Sequence, residues 1–239
     1  LLPFFKDDRY IKYNGKPLVV IYKPELIECG NEMLDYFQHL AKKEGFEGIT
    51  FAYQHGNMDF YSSKKDDSRY DLDIEFQPIY ARYDYDKENV KSTLKSKLRN
   101  AYHKISTWFG KKIGKEINLR IATGKQEIVR KYDYDKIWNK ILEKKVVDSK
   151  RVPGAFAMWD NTPRHELNGH VYVGATPGKF EKYMEKLIIK AKNEYKKDMI
   201  FMYAWNEWAE GGYLEPDEEN GYGYLEAVYE ALKNTNELE

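Results

Sequence analysis

The residues that could do chemistry are concentrated near the end of the chain, in the stretch YAWNEWAEGGYLEP at 203–216. It holds two glutamates three positions apart, Glu207 and Glu210, among aromatic residues. On an extended strand this odd spacing would send the two side chains to opposite faces, whereas a helical or tight turn brings them to the same side. Paired carboxylates amid aromatic rings are typical of sites that act on glycosidic bonds, where one carboxyl group is protonated and the other ionised.

The sequence around the two glutamates predicts a loop that leaves a strand. The apolar run ends at Trp205, and Gly211 and Gly212 supply the backbone freedom for a bend. Neighbouring rings such as that of Trp208 would desolvate a carboxyl group and raise its pKa toward the range of a general acid. The same spacing also fits glutamates that cap or salt-bridge the following segment while the tryptophans pack a core. Spacing alone leaves both interpretations open.

A second cluster of polar residues follows another predicted strand, at WDNTPR (159–164). A tryptophan face can stack on a pyranose ring, and carboxylate or amide groups can bond sugar hydroxyls. We therefore expect Trp159 and Asp160 to contact substrate, and Arg164 to hold an acidic group or to orient a catalytic carboxylate. The alternative is an Asn-Thr-Pro turn that Asp160 stabilises without any ligand.

Apolar periodicity predicts alternating strands and helices that would position these residues. Strands are predicted at 16–22, 48–53, 70–78, 154–160 and 199–205, and helices at 31–45, 87–109, 134–145, 179–195 and 222–234. Such alternation predicts a largely parallel sheet covered by helices, either open or closed into a barrel. In both architectures ligands gather at the carboxyl ends of the strands. Glu75, Asp160 and Asn206 all fall at or just after such ends.

The strand at 70–78 shows how alternation assigns residues to faces. Its apolar and acidic residues alternate, so the two kinds lie on opposite sides: Leu72, Ile74 and Phe76 on one, Asp71, Asp73 and Glu75 on the other. Pro78 ends the strand. The segment at 118–132 shows no clear period and is assigned to neither class.

Composition restricts the classes of protein. The 239 residues are 42% hydrophobic, which is enough for a core in a single domain over residues 1–239. Basic and acidic residues balance at 39 each, so no net field favours nucleic acid or an anionic membrane. Cys29 is the one cysteine, which excludes an internal disulfide and favours a reducing, cytoplasmic location. The apolar runs are too short for a transmembrane segment.

No metal or other cofactor is predicted. The histidines of HELNGH at 165–170 are five apart, not the four of a zinc-binding helix, and Asn168-Gly169 indicates a turn, so we predict a loop there. The acidic residues at 215–219 lack the alternating pattern of a calcium loop. No glycine-rich loop of the GxxxxGK[ST] kind is present to hold phosphates.

Four segments carry a resemblance to a known family: WDNTPR (159–164), AWNEWAEGGYLEPD (204–217), DDRYIKYNGKPLVVIYKP (7–24) and DIEFQP (73–78). Together they resemble the WbsX-like glycosyltransferase family of polysaccharide biosynthesis, which is related to the endo-acting α-mannosidases of glycoside hydrolase family 99. The likeness runs in the same order over nearly the whole chain. It implies a (β/α)8 barrel with the paired glutamates at its last strand. Residues 1–239 would then be the C-terminal part of that barrel, with earlier strands upstream of Leu1.

The resemblance also implies roles for individual residues. Glu210 resembles the general acid/base that protonates the glycosidic oxygen, and Glu207 resembles a second carboxylate that acts on the sugar 2-hydroxyl through an anhydro-sugar intermediate. The implied substrate is an oligosaccharide or polysaccharide of bacterial cell-surface metabolism, such as O-antigen or capsule. We expect substrate contacts from Trp159, Asp160, Arg164, Asn206, Glu75 and Trp208.

The predicted activity is therefore the cleavage or transfer of glycosyl units, without a metal. Two alternatives remain open. One is a glycosyltransferase that uses a sugar-nucleotide donor, and the other is a non-catalytic glycan-binding domain or an inactive fragment.

Overall fold

The computed structural model describes residues 1–55, 68–89 and 129–238. Its strands are β1 (Lys12–Tyr13), β2 (Lys16–Ile21), β3 (Thr50–His55), β4 (Leu72–Glu75), β5 (Arg130–Asp133), β6 (Arg151–Val152), β7 (Gly154–Phe156), β8 (His170–Val173), β9 (Phe201–Tyr203), β10 (Asn206–Glu207) and β11 (Gly212–Tyr213). Its helices are α1 (Leu2–Phe5), α2 (Gly30–Lys43), α3 (Ile79–Asn89), α4 (Tyr134–Glu143), α5 (Thr162–His165), α6 (Pro177–Lys190) and α7 (Gly223–Asn234). The architecture is mixed α/β with parallel sheets, which confirms the predicted class.

The main sheet has the order β1-β2-β3-β4-β6, in which β2, β3, β4 and β6 are parallel and β1 is antiparallel to β2. Strand β7 continues the chain just past β6 and pairs in parallel with β9. Only Pro153 separates β6, which pairs with β4, from β7, which pairs with β9. The Phe201 amide donates to the Pro153 carbonyl at 3.0 Å. Strands β5 and β8 form a separate parallel pair.

The sheet has two apolar faces, because successive side chains of a strand point to opposite sides. One face buries a cluster that strands β2, β3, β4 and β6 share: Leu18, Ala52, Leu72, Ile74 and Val152. Phe201 of β9 packs against the same cluster. The other face of β3, with Phe51 and Tyr53, packs with α2. The first of these faces is the one that leads to the cleft described below.

The largest core lies around the aromatic ring of Trp138 on α4. This ring stacks on Phe156 of β7 at 5.5 Å between centroids and on Tyr183 of α6 at 5.2 Å. The Asp133 carboxylate begins the helix by accepting the Lys136 amide at 2.9 Å, as expected of an N-cap residue. Helices α4 and α6 are thereby fixed on the outside of β7 and β9.

Several predicted boundaries differ from the structure. Helix α3 begins at Ile79, whereas the prediction began at 87, because the tyrosines and charges of its first turns give no apolar stripe. The remainder of that prediction, 90–109, and most of the segment 118–132 lie outside the described residues. Strand β5 was not predicted. In the loop predicted for 165–170, a 3₁₀ turn, Glu166–Asn168, ends at Gly169, and β8, which was not predicted, begins at His170.

A polar group lies buried on the helix-facing side of β4. The Glu75 side chain accepts a hydrogen bond from the Tyr195 hydroxyl at 3.0 Å, and only 2% of the residue is exposed. Asp73, two residues earlier on the same face, forms a buried ion pair with Arg151 at 3.1 Å. Burial raises the pKa of Glu75 from 4.5 to about 7, against the opposing effects of the Arg151 charge and the Tyr195 hydrogen bond.

This shift predicts a pH-dependent stability. Because the folded protein keeps the Glu75 proton up to about pH 7, while the unfolded chain loses it near its usual value, the contribution of Glu75 to stability is fully present below about pH 4.5 and is lost as the pH rises to about 7. Glu75→Gln removes this charge and keeps an acceptor for Tyr195. We expect the variant to exceed the wild type by about 3 kcal/mol at pH 8 and to match it near pH 4.5 in urea unfolding.

The exposed Glu28 provides the control. Glu28→Gln should change the free energy of unfolding little at either pH. An equal offset of Glu75→Gln from the wild type at both pH values would contradict the assignment.

Candidate functional site

A cleft of about 580 Å³ lies at the carboxyl ends of the parallel strands. The strands that carry Leu18, Ala52 and Phe201 on one face each present a later side chain of the same parity to this cleft. These side chains are Tyr22 after β2, Gln54 of β3, Phe76 after β4 and Tyr203 of β9. The cleft thus occupies the position at which α/β sheets bind ligands.

The two glutamates of the NEWAE segment both line this cleft. They lie on a small hairpin in which β10 pairs with β11, with Glu207 opposite Gly212. A 3₁₀ turn, Trp208–Glu210, connects the two strands, and Gly211 ends it in the left-handed region with φ of 56°. This turn brings the two carboxylates to the same side despite their odd spacing.

Glu210 is held by two donors. Its Oε2 accepts the Tyr203 hydroxyl at 2.7 Å, and its Oε1 lies 3.4 Å from Arg164 Nη1. Only 18% of the Glu210 side chain is exposed, so water competes weakly for these contacts. Burial, followed by the hydrogen bond to Glu210, raises the pKa of Tyr203 above its usual value. The phenol therefore stays protonated and donates to the carboxylate.

An aromatic wall stands beside the carboxylates. The Trp159 and Tyr203 rings stack at 4.6 Å between centroids with 24° between their planes. Both line the cleft, and Trp159 is 5% exposed. The Trp159 indole nitrogen is buried and has no hydrogen-bond partner among the described residues. The wall gives the cleft an aromatic surface next to the carboxylate oxygens of Glu207 and Glu210.

Two loops meet to form this arrangement. The Asp160 amide donates to the Glu210 carbonyl at 2.9 Å, so the WDNTPR and NEWAE segments are joined through the backbone. At Gly211 a Cβ atom would lie 2.9 Å from the Asp160 nitrogen and 3.0 Å from its oxygen. At Gly212 it would lie 2.5 Å from the Tyr203 ring. Only glycines permit so close an approach at both positions.

Four of the predicted site residues thus come together in the cleft: Trp159, Arg164, Glu207 and Glu210. Asp160 does not line it, because its Oδ1 accepts the Thr162 amide at 2.9 Å and the Thr162 hydroxyl at 2.6 Å. That is the turn-stabilising role considered as the alternative. Asn206 lies exposed on β10, outside the lining of the cleft.

Trp208 and Glu75 also lie away from the cleft lining. The Trp208 ring is 49% exposed, stacks on Tyr213 at 3.8 Å and donates from Nε1 to Glu215 at 2.6 Å. Glu75 points to the helix-facing side of β4, whereas the next residue, Phe76, lines the cleft. The substrate contacts predicted for these two side chains therefore do not match their positions.

Several lining residues were not predicted from the sequence: Tyr22, Gln54, Phe76, Ile79, Arg82, His165, Asn168, His170 and Tyr203. The two-residue period of the strands was the available signal for those at strand ends. Asn161 also joins the two sides of the cleft, since its Oδ1 accepts the His170 amide at 2.7 Å.

The described residues provide no evident metal centre and no membrane span. No group of three or more His, Cys, Asp or Glu within them could hold a metal ion. No helix in the described part of the chain is both long and apolar enough to cross a bilayer.

The close approach at Gly211 generates a stability prediction. Gly211→Ala places a side chain in the left-handed region and against the Asp160 backbone, so we expect a loss of about 2–4 kcal/mol in urea unfolding. Gly178→Ala is the matched control, because nothing lies within 4 Å of its added methyl group. It should be neutral or stabilise by up to about 1 kcal/mol. Equal effects of the two substitutions would show that the two loops do not constrain each other.

Comparison with known proteins identifies the family. The chain is 24% identical over 239 residues to proteins named "Uncharacterized protein WxcX" from two strains of Xanthomonas campestris pv. campestris, B100 and ATCC 33913. These alignments cover 96% of this chain and 28% of each relative. No solved structure gives a significant match. The family model "Glycosyltransferase WbsX" matches residues 1–228, so the chain belongs to the WbsX glycosyltransferase family.

Proposed function

We propose that the cleft breaks or forms glycosidic bonds in a polysaccharide, with Glu207 and Glu210 as its working carboxylates. The observation that carries this proposal is the position of both glutamates in one cleft beside the stacked Trp159–Tyr203 wall. Family membership supports a carbohydrate substrate. The cell-surface polysaccharides implied by the sequence resemblance are the proposed substrate class.

The contacts of Glu210 support a proton-transfer role. Arg164 and the Tyr203 hydroxyl both stabilise the negative charge of the carboxylate. In this form Glu210 can accept a proton from an acceptor hydroxyl or from water. The Arg164 contact to Glu210 is long, and the Arg164 side chain is more than half exposed, so an incoming sugar can displace it.

The relation to glycoside hydrolase family 99 supplies a specific sequence of steps for the proposal. Glu207 takes the proton of the sugar 2-hydroxyl, O2 attacks C1, and the C1–O glycosidic bond breaks while Glu210 protonates the leaving oxygen. Water or an acceptor hydroxyl then attacks C1 and opens the anhydro ring. In this second step Glu210 takes the proton of the attacking group and Glu207 returns a proton to O2, so both carboxyl groups regain their starting states.

We also propose that the strands form part of a (β/α)8-type barrel. Two contacts between the β9 end and the β1–β2 end of the strands support a curved sheet. Phe201 of β9 packs against the cluster that contains Leu18 of β2, and Lys197, just before β9, donates to the Tyr13 hydroxyl of β1 at 3.1 Å. The two sides of the sheet therefore bend toward each other on the cleft-bearing face.

A transferase that uses an activated donor is the second candidate, because the matching family is described as a glycosyltransferase. Incubation of the complete protein with cell-surface oligosaccharides, with and without sugar nucleotides, separates the two. Products without a donor indicate hydrolysis, and chain extension that requires a donor indicates transfer. Binding without any product would leave a glycan-binding role and contradict the proposed catalysis.

Substitution of the two carboxylates tests their roles directly. Glu207→Gln and Glu210→Gln should each lower kcat by about 10²- to 10⁴-fold, because each removes a proton-transfer group. Glu215→Gln is the matched control, since Glu215 lies on the same loop but bonds Trp208 instead of lining the cleft. Turnover that survives in both cleft variants would exclude this site.

Removal of the Tyr203 hydroxyl tests the support of Glu210. Tyr203→Phe deletes a hydrogen bond to a charged group and keeps the ring that stacks on Trp159, so we expect kcat to fall about 10- to 100-fold. Tyr213→Phe provides the control, because this tyrosine stacks on Trp208 away from the cleft lining. Equal rates for the two variants would mean that the Tyr203 hydroxyl has no part in the reaction.

A further inference from the structure

The cleft has a basic end in addition to its carboxylates. Three of its lining residues, Arg82, His165 and His170, are referred to here as the basic end. Arg164, the other lining guanidinium, is already committed to Glu210. Within residues 1–55, 68–89 and 129–238, no carboxylate forms an ion pair with Arg82. The proposed proton transfers do not involve the Arg82 guanidinium.

Arg82 is fixed beside a stack of rings. Its guanidinium carbon lies 6.0 Å from the centre of the Tyr132 ring, within the range of a cation–π contact. The Tyr132 ring stacks on His170 at 5.9 Å and on Tyr172 at 5.3 Å. The Tyr132 hydroxyl donates to Asp86 at 3.2 Å, which fixes the ring in place. Strand β5, helix α3 and strand β8 therefore converge to build one wall of the cleft.

Arg82 supplies the positive charge of this wall, and His170 stands beside it as an uncharged group. Burial lowers the pKa of His170 to about 4, and the charges of Arg82, Arg130 and His165 lower it further in the same direction. At neutral pH the imidazole is therefore uncharged. Its Nε2 atom is buried and has no hydrogen-bond partner in the described part of the chain. The wall thus combines a guanidinium with an imidazole that has an unused hydrogen-bonding nitrogen.

We propose that the basic end binds an anionic group of the substrate, either the phosphate of an activated sugar donor or the carboxylate of an acidic sugar. Arg82 would supply the charge, because a guanidinium matches the oxygens of both groups in a bidentate manner. Such a ligand is compatible with the carboxylates nearby, since Arg164 offsets the charge of Glu210. This inference rests on the proposed carbohydrate role of the cleft and narrows it to anionic substrates.

Calorimetric titration of the complete protein tests this inference without requiring turnover. Three probes are compared: uridine diphosphate, an oligoglucuronate, and a neutral gluco-oligosaccharide of the same length. We expect at least one anionic probe to bind more tightly than the neutral one and to lose affinity with added salt. A preference for the diphosphate indicates an activated donor, and a preference for the oligoglucuronate indicates an acidic glycan.

Two substitutions of Arg82 assign the effect to this residue. Arg82→Gln should weaken the preferred anionic probe by about tenfold or more, whereas Arg82→Lys, which keeps the charge but loses the bidentate geometry, should weaken it less. Lys131→Gln is the matched control, because it removes the same charge from an exposed site on β5 outside the cleft lining. If circular dichroism shows that Arg82→Gln does not fold, the probe affinities of Arg82→Lys and Lys131→Gln are compared instead.

Three results would overturn the inference: no binding of either anionic probe, equal affinities for anionic and neutral probes, or equal losses in the Arg82 and Lys131 variants. Failure of the proposed catalysis would have a different signature. It would leave charge-selective binding intact while the complete protein gave no glycosyl product.

Discussion

The site depends on the junction between two loops that are distant in sequence. The Asp160 amide donates to the Glu210 carbonyl, and Gly211 lets the two backbones approach without a side chain between them. Once this junction forms, Glu210 lies within reach of the Tyr203 hydroxyl at the end of β9 and of Arg164 on α5. A larger residue at position 211 would separate the loops, and both contacts to Glu210 would be weakened together.

The parallel strands determine what surrounds this junction. Because side chains alternate along a strand, a residue at a strand end either lines the cleft or faces the helices, and its neighbour does the opposite. Phe76 lines the cleft, while Glu75 bonds Tyr195 on the other side. On the helix-facing side, a carboxyl group is buried only with hydrogen-bond donors beside it and with a raised pKa. Glu75 therefore affects the stability of the fold and does not contact the cleft.

The sequence predicted the turn that carries the two glutamates, but not most of the residues that surround them in the cleft. Two glutamates followed by two glycines predict a turn that gathers both carboxylates, because glycine is needed where a backbone bends sharply. For strand 70–78, the alternation also placed Glu75 and Phe76 on opposite faces of the sheet. Which face lines the cleft and which packs on the helices depends on tertiary contacts, so the alternation did not predict the side on which Glu75 lies.

Long-range contacts explain the remaining differences. Tyr203, Arg82 and His170 are separated by more than thirty residues from at least one partner in the cleft, and no local pattern marks such pairs. Asp160 and Trp208 have the residue types of a sugar site, yet nearby partners, Thr162 and Glu215, occupy their polar atoms. Competition of this kind between a local hydrogen bond and a ligand is decided by geometry that residue types do not specify.

The central claim is that one cleft holds a sugar ring against the Trp159–Tyr203 wall with both glutamates at its glycosidic bond. A crystal structure of Glu210→Gln with a bound oligosaccharide tests it most directly. The account predicts a ring packed on that wall, the glycosidic oxygen within hydrogen-bond distance of residue 210, and the 2-hydroxyl facing Glu207. An oligosaccharide bound elsewhere on the protein, or in the cleft with both residues turned to solvent, would contradict it.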